Sequence, residues 1–428
     1  MIVRQKYLDE LVAFQDQDLI KVVTGVRRCG KSTLLDMMRE HLAAQGVPER
    51  RLVTFKMESM EFDGIGDYRD LYQIVRERTE GVERPYLFFD ELQNVSGWEK
   101  AINSLRVDMD CDIYVTGSNA FLLSSELATL LSGRYVEIRV QPLTFAEYLD
   151  FRGATWYPSA HRNADVVTFA DGGFATLDRM LDEFRRYGGM PFLSLAAPDE
   201  RRHRDYYRSL YQTVIVRDIL TRERRRGRRV LGDRALLERV CAFMADIVGS
   251  ETSMNRIAGT LRDDGVTASR DTVSAYLGAL EEAYLFCEVR RYDIKGRALL
   301  KTGGKYYIVD TGLRSYLDGY RGTDLGHTLE NMVWSQLVYD GFDVRVGHLR
   351  DAEVDFVVTR DGTRAYVQVT EDMSDERTFE RELAPLRRID DAFPKAVVVM
   401  RGSYPTQVDG IQIIGAADFF LHRRRIMG

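Results

Sequence analysis

The sequence predicts an α/β protein built around a phosphate-binding loop. Three observations carry this. Short apolar runs alternate with helix-patterned stretches up to about residue 150. The stretch Gly25-Val26-Arg27-Arg28-Cys29-Gly30-Lys31-Ser32 matches G-x-x-x-x-G-K-[ST], with a strand-like run before it and a helical pattern after it. Beyond about residue 150 helices dominate, and a second set of strand-like runs closes the chain.

The first strand candidate is 20–23, followed by 52–56, 86–89, 113–116 and 135–140. Alternation with helices predicts a parallel, doubly wound sheet that binds its ligand at the strand C-terminal ends. In the turn after the first strand, the backbone N–H groups of residues 25–33, Thr33 included, would cradle phosphates. Lys31 would reach the β and γ phosphates and the Ser32 hydroxyl would bind Mg²⁺. The helix that follows adds its dipole and its unpaired N–H groups. The plainer alternative is a structural glycine turn, and the flanking strand and helix weigh against it.

The third run, Tyr86-Leu87-Phe88-Phe89-Asp90-Glu91, ends in two acids. After a phosphate loop, Asp90 is placed to hold Mg²⁺ and Glu91 to orient and deprotonate water. A solvated acidic turn is the alternative. The fourth run ends in Thr116-Gly117-Ser118-Asn119, where Ser118 or Asn119 would lie beside the γ-phosphate, or form an ordinary turn. Arg134 precedes the fifth strand, where an arginine reaches a neighbouring subunit's γ-phosphate or simply faces solvent.

Composition narrows the class. The chain has 428 residues, enough for two to four domains, with 45% hydrophobic and 29% charged residues. No run is apolar for the length a membrane span needs, and the N-terminal residues show no signal-peptide core. The four cysteines are far apart and lack metal spacing, which fits a reducing cytoplasm without disulfides or zinc. At a formal net charge of −6 the protein is no polycation, so nucleic-acid contact would come from local basic patches.

The segments GVRRCGKSTLL, FFDELQNVSGWEKAINSL, VTGSNAFLLSSELATLLSGRYVEIRVQPLTFAEYL and YGGMP resemble the prokaryotic AAA-type ATPases. More narrowly they are similar to the archaeal-type and STAND-related branch that carries a C-terminal domain of unknown function. The resemblance implies Lys31 and Ser32 as Walker A, Asp90 and Glu91 as Walker B, and Ser118 or Asn119 as sensor 1. It puts an arginine finger at Arg134, and a base-contacting lid motif at Gly189-Met190-Pro191. It also implies ATP and Mg²⁺ as cofactors, a homo-oligomer with a ring as one form, and no small-molecule substrate beyond the nucleotide.

Four segments follow: an ATPase core over 1–150, a helical lid and basic linker over 151–230, a winged helix-turn-helix over 231–320, and a nuclease-like domain over 321–428. Residues 153–173 read as a long polar loop, 176–187 as a helix, and 201–220 as another. Arg222, Arg224, Arg225, Arg226, Arg228 and Arg229 then form a run that either neutralises nucleic-acid phosphates or is a solvated linker. Helical patterns at 236–248, 252–261 and 271–283, the last capped by Ser269, precede two strand-like runs, 285–292 and 305–309. If this unit meets DNA, Arg270, Thr272 and Ser274 face the major groove, and Lys295, Arg297 and Lys301 meet phosphates. A purely structural module is the alternative.

The last segment, with Glu330, Glu353-Val354-Asp355 and Gln368-Val369-Thr370, resembles a PD-(D/E)XK nuclease core. That resemblance implies a metal site of Glu330, Asp355 and Gln368, but Thr370 stands where the lysine belongs. An inactive nuclease relative used for binding or assembly is the reading; an ordinary α/β domain with incidental carboxylates is the alternative. Together these features predict an ATPase that acts on DNA. A nucleotide-dependent switch and, less favoured, an ATP-gated nuclease are the other readings.

Overall fold

A strand buried on both faces starts the core. In β1 (Ile20–Thr24) every residue is buried, because neighbours flank it and helices cover both sides. β2 (Leu52–Lys56), β3 (Tyr86–Asp90), β4 (Asp112–Thr116) and β5 (Tyr135–Arg139) join it in a parallel sheet ordered β2-β3-β4-β1-β5. All five expected strands are present. The structure, a computed structural model, describes residues 2–118, 133–157, 165–220, 233–263, 265, 269–320, 324–350 and 352–427, the side chains of 215–217 and 301–302 excepted. The chain divides into two compact units, Met1–Gln141 with Glu282–Tyr284, and Pro142–Glu281 with Leu285–Gly428.

In the first unit the chain leaves β1, crosses two strand positions to β2, and returns through β3 and β4 to β1's side before adding β5 beyond it. That reversal opens a crevice at the C-terminal ends of β1 and β4. One face of the sheet packs Val22, Phe55, Phe89 and Val115 against Leu71, Val75, Ile102 and Leu105 of the helices Tyr68–Arg78 and Trp98–Asp108. Each such fully buried side chain contributes about 2 kcal/mol of hydrophobic stabilisation. At the opposite end of the sheet from the crevice, Lys21 forms a buried ion pair with Asp112, whose second oxygen accepts from the Tyr114 hydroxyl at 2.9 Å.

The second unit begins with the helix Phe145–Phe151. The expected loop at 153–173 is corrected here. β6 (Ala154–Tyr157), β7 (Val166–Phe169) and β8 (Phe174–Thr176) form an antiparallel three-stranded sheet. The polar composition misled because these strands are half-exposed, with Val167 fully buried while Phe174 lies open to solvent. The helices Leu177–Tyr187 and Glu200–Gln212 follow, and the second continues as a π-helical segment, Thr213–Leu220, instead of one uniform helix.

Three helices, Arg234–Asp246, Met254–Asp263 and Arg270–Glu282, lead into the hairpin β9 (Phe286–Asp293) and β10 (Ala298–Ile308). Helices Thr311–Leu317 and Leu325–Tyr339 come next, then β11 (Asp343–Leu349), β12 (Ala352–Arg360) and β13 (Thr363–Asp372). The helix Glu376–Arg387, β14 (Lys395–Arg401), β15 (Gln407–Val408) and β16 (Ile411–Gly415) complete the sheet. The division expected near residue 320 runs through this sheet. β9 pairs in parallel with β11, making one eight-stranded sheet ordered β10-β9-β11-β12-β13-β14-β16-β15. Strand-like runs separated by two helices carry no signal that they will share an edge.

Candidate functional site

The loop Gly25–Gly30 turns from β1 into the helix Lys31–Ala44. Three of its residues hold the positive-φ backbone the turn needs, Gly25 at φ +137°, Arg28 at φ +66° and Gly30 at φ +102°. A Cβ on Gly25 would sit 2.1 Å from the Val140 carbonyl oxygen, so only glycine lets the loop pack there. Arg4, buried, donates to the carbonyls of Cys29 at 3.2 Å and Gln141 at 2.7 Å, bracing the loop from outside. Gly30 caps the helix without a side-chain hydrogen bond, so no protein side chain satisfies the first-turn N–H groups from the cap position. An anion would do so.

Lys31 is buried and turns its ammonium to the carbonyls of Gly25 (2.9 Å) and Val26 (3.0 Å). Arg27 pairs with Glu58 at 3.1 Å, and Ser32 and Thr33 are exposed at the helix start. Ser32 Oγ donates to Asp90 Oδ1 at 2.8 Å. A hydroxyl and a carboxylate in contact are the hard oxygen donors that Mg²⁺ takes, so these two residues fit the ion.

Thr116, at the buried end of β4, organises both acids. Its hydroxyl donates to Asp90 Oδ1 at 2.6 Å and accepts the Glu91 N–H at 3.0 Å. Glu91 itself sits at φ +55°, which costs about 1 kcal/mol for a residue with a side chain. Its carboxylate accepts from Ser118 Oγ at 3.2 Å and from Gln93 Nε2. Ser118, which follows β4, and Glu91, which follows β3, thus meet. Thr116, Gln93 and Arg4 went unassigned from sequence. The one signal for Thr116 is a hydroxyl side chain closing an otherwise apolar strand.

Other expected residues fall elsewhere. Arg134 donates to Asn103 Oδ1 of its own chain at 3.0 Å. Asn119, Arg224, Arg225, Arg226 and Arg228, with Arg222 and Arg229, lie outside the described residues. Gly189 and Pro191 are in the second unit, and there the glycines have a local steric cause. Gly189 donates its N–H to Asp310 Oδ2 at 2.8 Å and accepts from Leu143 N at 2.7 Å. A Cβ on Gly189 would lie 2.4 Å from the Leu143 carbonyl, and one on Gly188 would lie 2.4 Å from Asp310 Oδ1. Pro191 opens the four-residue helix Pro191–Ser194. Asp310 also meets the Tyr207 hydroxyl at 2.6 Å; burial pushes its carboxyl up against these hydrogen bonds.

In the three-helix and hairpin region, Ser269 caps the helix Arg270–Glu282 through the Thr272 N–H at 3.1 Å, and its hydroxyl meets that of Thr272 at 2.9 Å. Arg270 and Ser274 are exposed, and Arg270 lines an open groove with Arg256 and Arg291. Lys295 and Arg297 are exposed in the turn between β9 and β10, which Asp293 closes by accepting the Lys295 and Gly296 N–H groups. Lys301 falls where side chains are not described.

Glu330 and Asp355 converge on a residue not anticipated, Lys305 of β10. Its ammonium is 2.8 Å from Glu330 Oε1, 2.5 Å from Glu353 Oε1 and 3.7 Å from Asp355 Oδ1. Burial would lower its affinity for a proton, but Glu330, Asp355 and Glu353 raise it far more, so it stays charged. Gln368 is committed: its Oε1 accepts the Asp355 N–H at 3.3 Å and its Nε2 donates to Glu382 at 3.1 Å.

Strand order, loop and acid pair define the first unit as a P-loop nucleotide-binding ATPase domain of the AAA type, and residues 17–149 match the family model described as AAA domain. Residues 178–324 match a second model, a domain of unknown function, DUF8612. An uncharacterized protein of Haemophilus influenzae is 37% identical over 422 residues, 98% of this chain and 99% of its own length. The chain belongs to the same family as that protein. An uncharacterized protein of Methanocaldococcus jannaschii is 26% identical over 369 residues, 85% of this chain and 77% of that one. Among solved structures, a Walker-type ATPase of Pyrococcus abyssi is similar at a TM-score of 0.48 and 15% identity, over 74% of this chain and 96% of its own.

Proposed function

We propose that the protein is a Mg²⁺-dependent ATPase that works as a homo-oligomer and acts on DNA. The observation that carries the hydrolytic part is the joint placement of Ser32, Asp90, Thr116 and Glu91 below the phosphate loop. In this reading the loop N–H groups and Lys31 hold the phosphates, and Ser32 and Asp90 hold Mg²⁺, which neutralises phosphate charge when bound. Glu91, kept at its strained turn by Thr116, takes the proton of the attacking water, while Ser118 orients it. Arg134 acts on the nucleotide of a neighbouring subunit, for which its exposed position before β5 is suited.

The DNA part is supported by exposed Arg270, Lys295 and Arg297 in a three-helix and hairpin arrangement of winged-helix type. The test is ATP turnover at low salt with and without a panel of single-stranded, duplex and branched DNAs, alongside molar mass in ATP. Turnover raised by DNA, with binding that falls steeply as salt rises, is the expected result. No effect of any DNA on turnover or binding rejects the DNA role.

One observation favours a switch over a motor. The Glu91 carboxylate is tied by Ser118 and Gln93, a restraint that must loosen before it can serve a water. A switch predicts slow turnover and nucleotide-dependent assembly; fast DNA-stimulated multiple turnover counts against it.

A further inference from the structure

The carboxylates that resemble a nuclease metal set do not fit a divalent ion. Among the described residues no group of three or more His, Cys, Asp or Glu is arranged to hold a metal. The reason is visible at Glu330, Glu353 and Asp355, where the space the three carboxylates share is taken by the Lys305 ammonium, only 4% exposed. Two further groups are tied into the cluster. The Tyr307 hydroxyl donates to Glu330 Oε1, the same oxygen that meets Lys305, at 2.5 Å, and the Val369 N–H donates to Asp355 Oδ2 at 2.8 Å. Lys305 and Tyr307 are two apart on β10, so one strand face supplies both the cation and the hydroxyl.

We propose that Lys305 is the resident cation of this cluster, standing where a nuclease-like core would hold a metal ion, so that the domain keeps the carboxylate frame, takes no metal and does not cut. The inference rests on reading Glu330, Asp355 and Gln368 as a nuclease-like set. Its physical basis is charge. Two buried carboxylates, Glu330 and Asp355, with the part-exposed Glu353 beside them, need a counter-ion. A fixed ammonium at hydrogen-bond distance supplies one and repels a second cation from the same space. Thr370 replaces the usual lysine without loss, because a site without metal has no attacking water for it to assist. Lys305 is therefore neither a catalytic base nor a substitute for the missing lysine.

The experiment uses the full chain without nucleotide and compares wild type, K305M, D355N and the K305M/E330Q/D355N variant by thermal unfolding and Mn²⁺ titration. In EDTA, K305M is expected to melt well below wild type, and millimolar Mn²⁺ to restore at least about half of the loss by binding only the folded state. The triple variant, its frame neutralised, gains nothing from Mn²⁺. Wild type shows no Mn²⁺ binding that D355N removes. Wild-type binding of Mn²⁺ that D355N abolishes, with or without DNA cleavage, overturns the internal cation while keeping the nuclease-like frame. A folded K305M that takes no Mn²⁺ rejects the frame itself. If K305M does not fold even with Mn²⁺, the wild-type and D355N titrations decide alone.

Discussion

Thr116 Oγ1 lies 2.6 Å from Asp90 Oδ1 while accepting the Glu91 N–H at 3.0 Å, so one hydroxyl on β4 sets the position of both acids that end β3. Neither acid is placed by its own strand alone. The Thr116→Val substitution keeps the shape and removes the hydroxyl. It is expected to cost about 1–2 kcal/mol in hydrolysis, roughly tenfold in kcat, with ATP affinity changed less than about threefold. Steady-state turnover beside equilibrium binding of a non-hydrolysable analogue measures both.

The loop and the base separate binding from chemistry. Lys31→Ala should abolish ATP binding, since the buried ammonium is the charge nearest the loop carbonyls. Glu91→Gln should bind ATP normally and hydrolyse it at least about 100-fold more slowly. Turnover retained in Glu91→Gln would move the base elsewhere.

Arg134→Ala is expected to lower turnover by about 100-fold or more while leaving ATP affinity intact. A finger acting across subunits also makes wild-type specific activity rise with protein concentration. Equal losses of binding and turnover would place Arg134 in its own subunit's site instead.

Gly189→Ala tests the tight approach to Leu143. With a Cβ 2.4 Å from that carbonyl, urea denaturation should show a loss of about 2 kcal/mol. Gly278→Ala, in the helix Arg270–Glu282 with open space around it, should instead be neutral or stabilise by about 0.5–1 kcal/mol.

His327 gives a pH dependence. Its hydrogen bond to Asp324 raises it above its ordinary 6.5, with burial opposing and the Asp324 charge adding to the rise. Asp324 would be pushed up by burial, but His327 and Arg314 bring it down to about 2, so it stays ionised throughout. Glu330 and Lys305 also act on the ring, with opposite signs. A raised histidine stabilises the fold below about pH 6.5, and that contribution is lost as pH rises through its folded value. Wild type should therefore exceed His327→Gln by about 0.5 kcal/mol near pH 5.5, the pair being part-exposed and screened, and the gap should close on the alkaline side. Denaturant midpoints across pH read this directly.

Sequence alone determined the five core strands, the loop, the acid pair and the cap at Ser269. Each is local: a buried parallel strand is a short apolar run, and a phosphate loop is a contiguous stretch whose chemistry lies in its backbone. Tertiary structure decided the rest. It brought Thr116 under Asp90 and Glu91, closed Gly188 and Gly189 against Asp310 and Leu143, and joined β9 to β11. It also set Lys305 among carboxylates 25 to 50 positions away. No periodicity marks such pairings, because side chains distant in sequence meet only after sheets form and helices pack. That is also why the threonine at 370 was legible in the chain and the meeting of Lys305 with Glu330 and Asp355 was not.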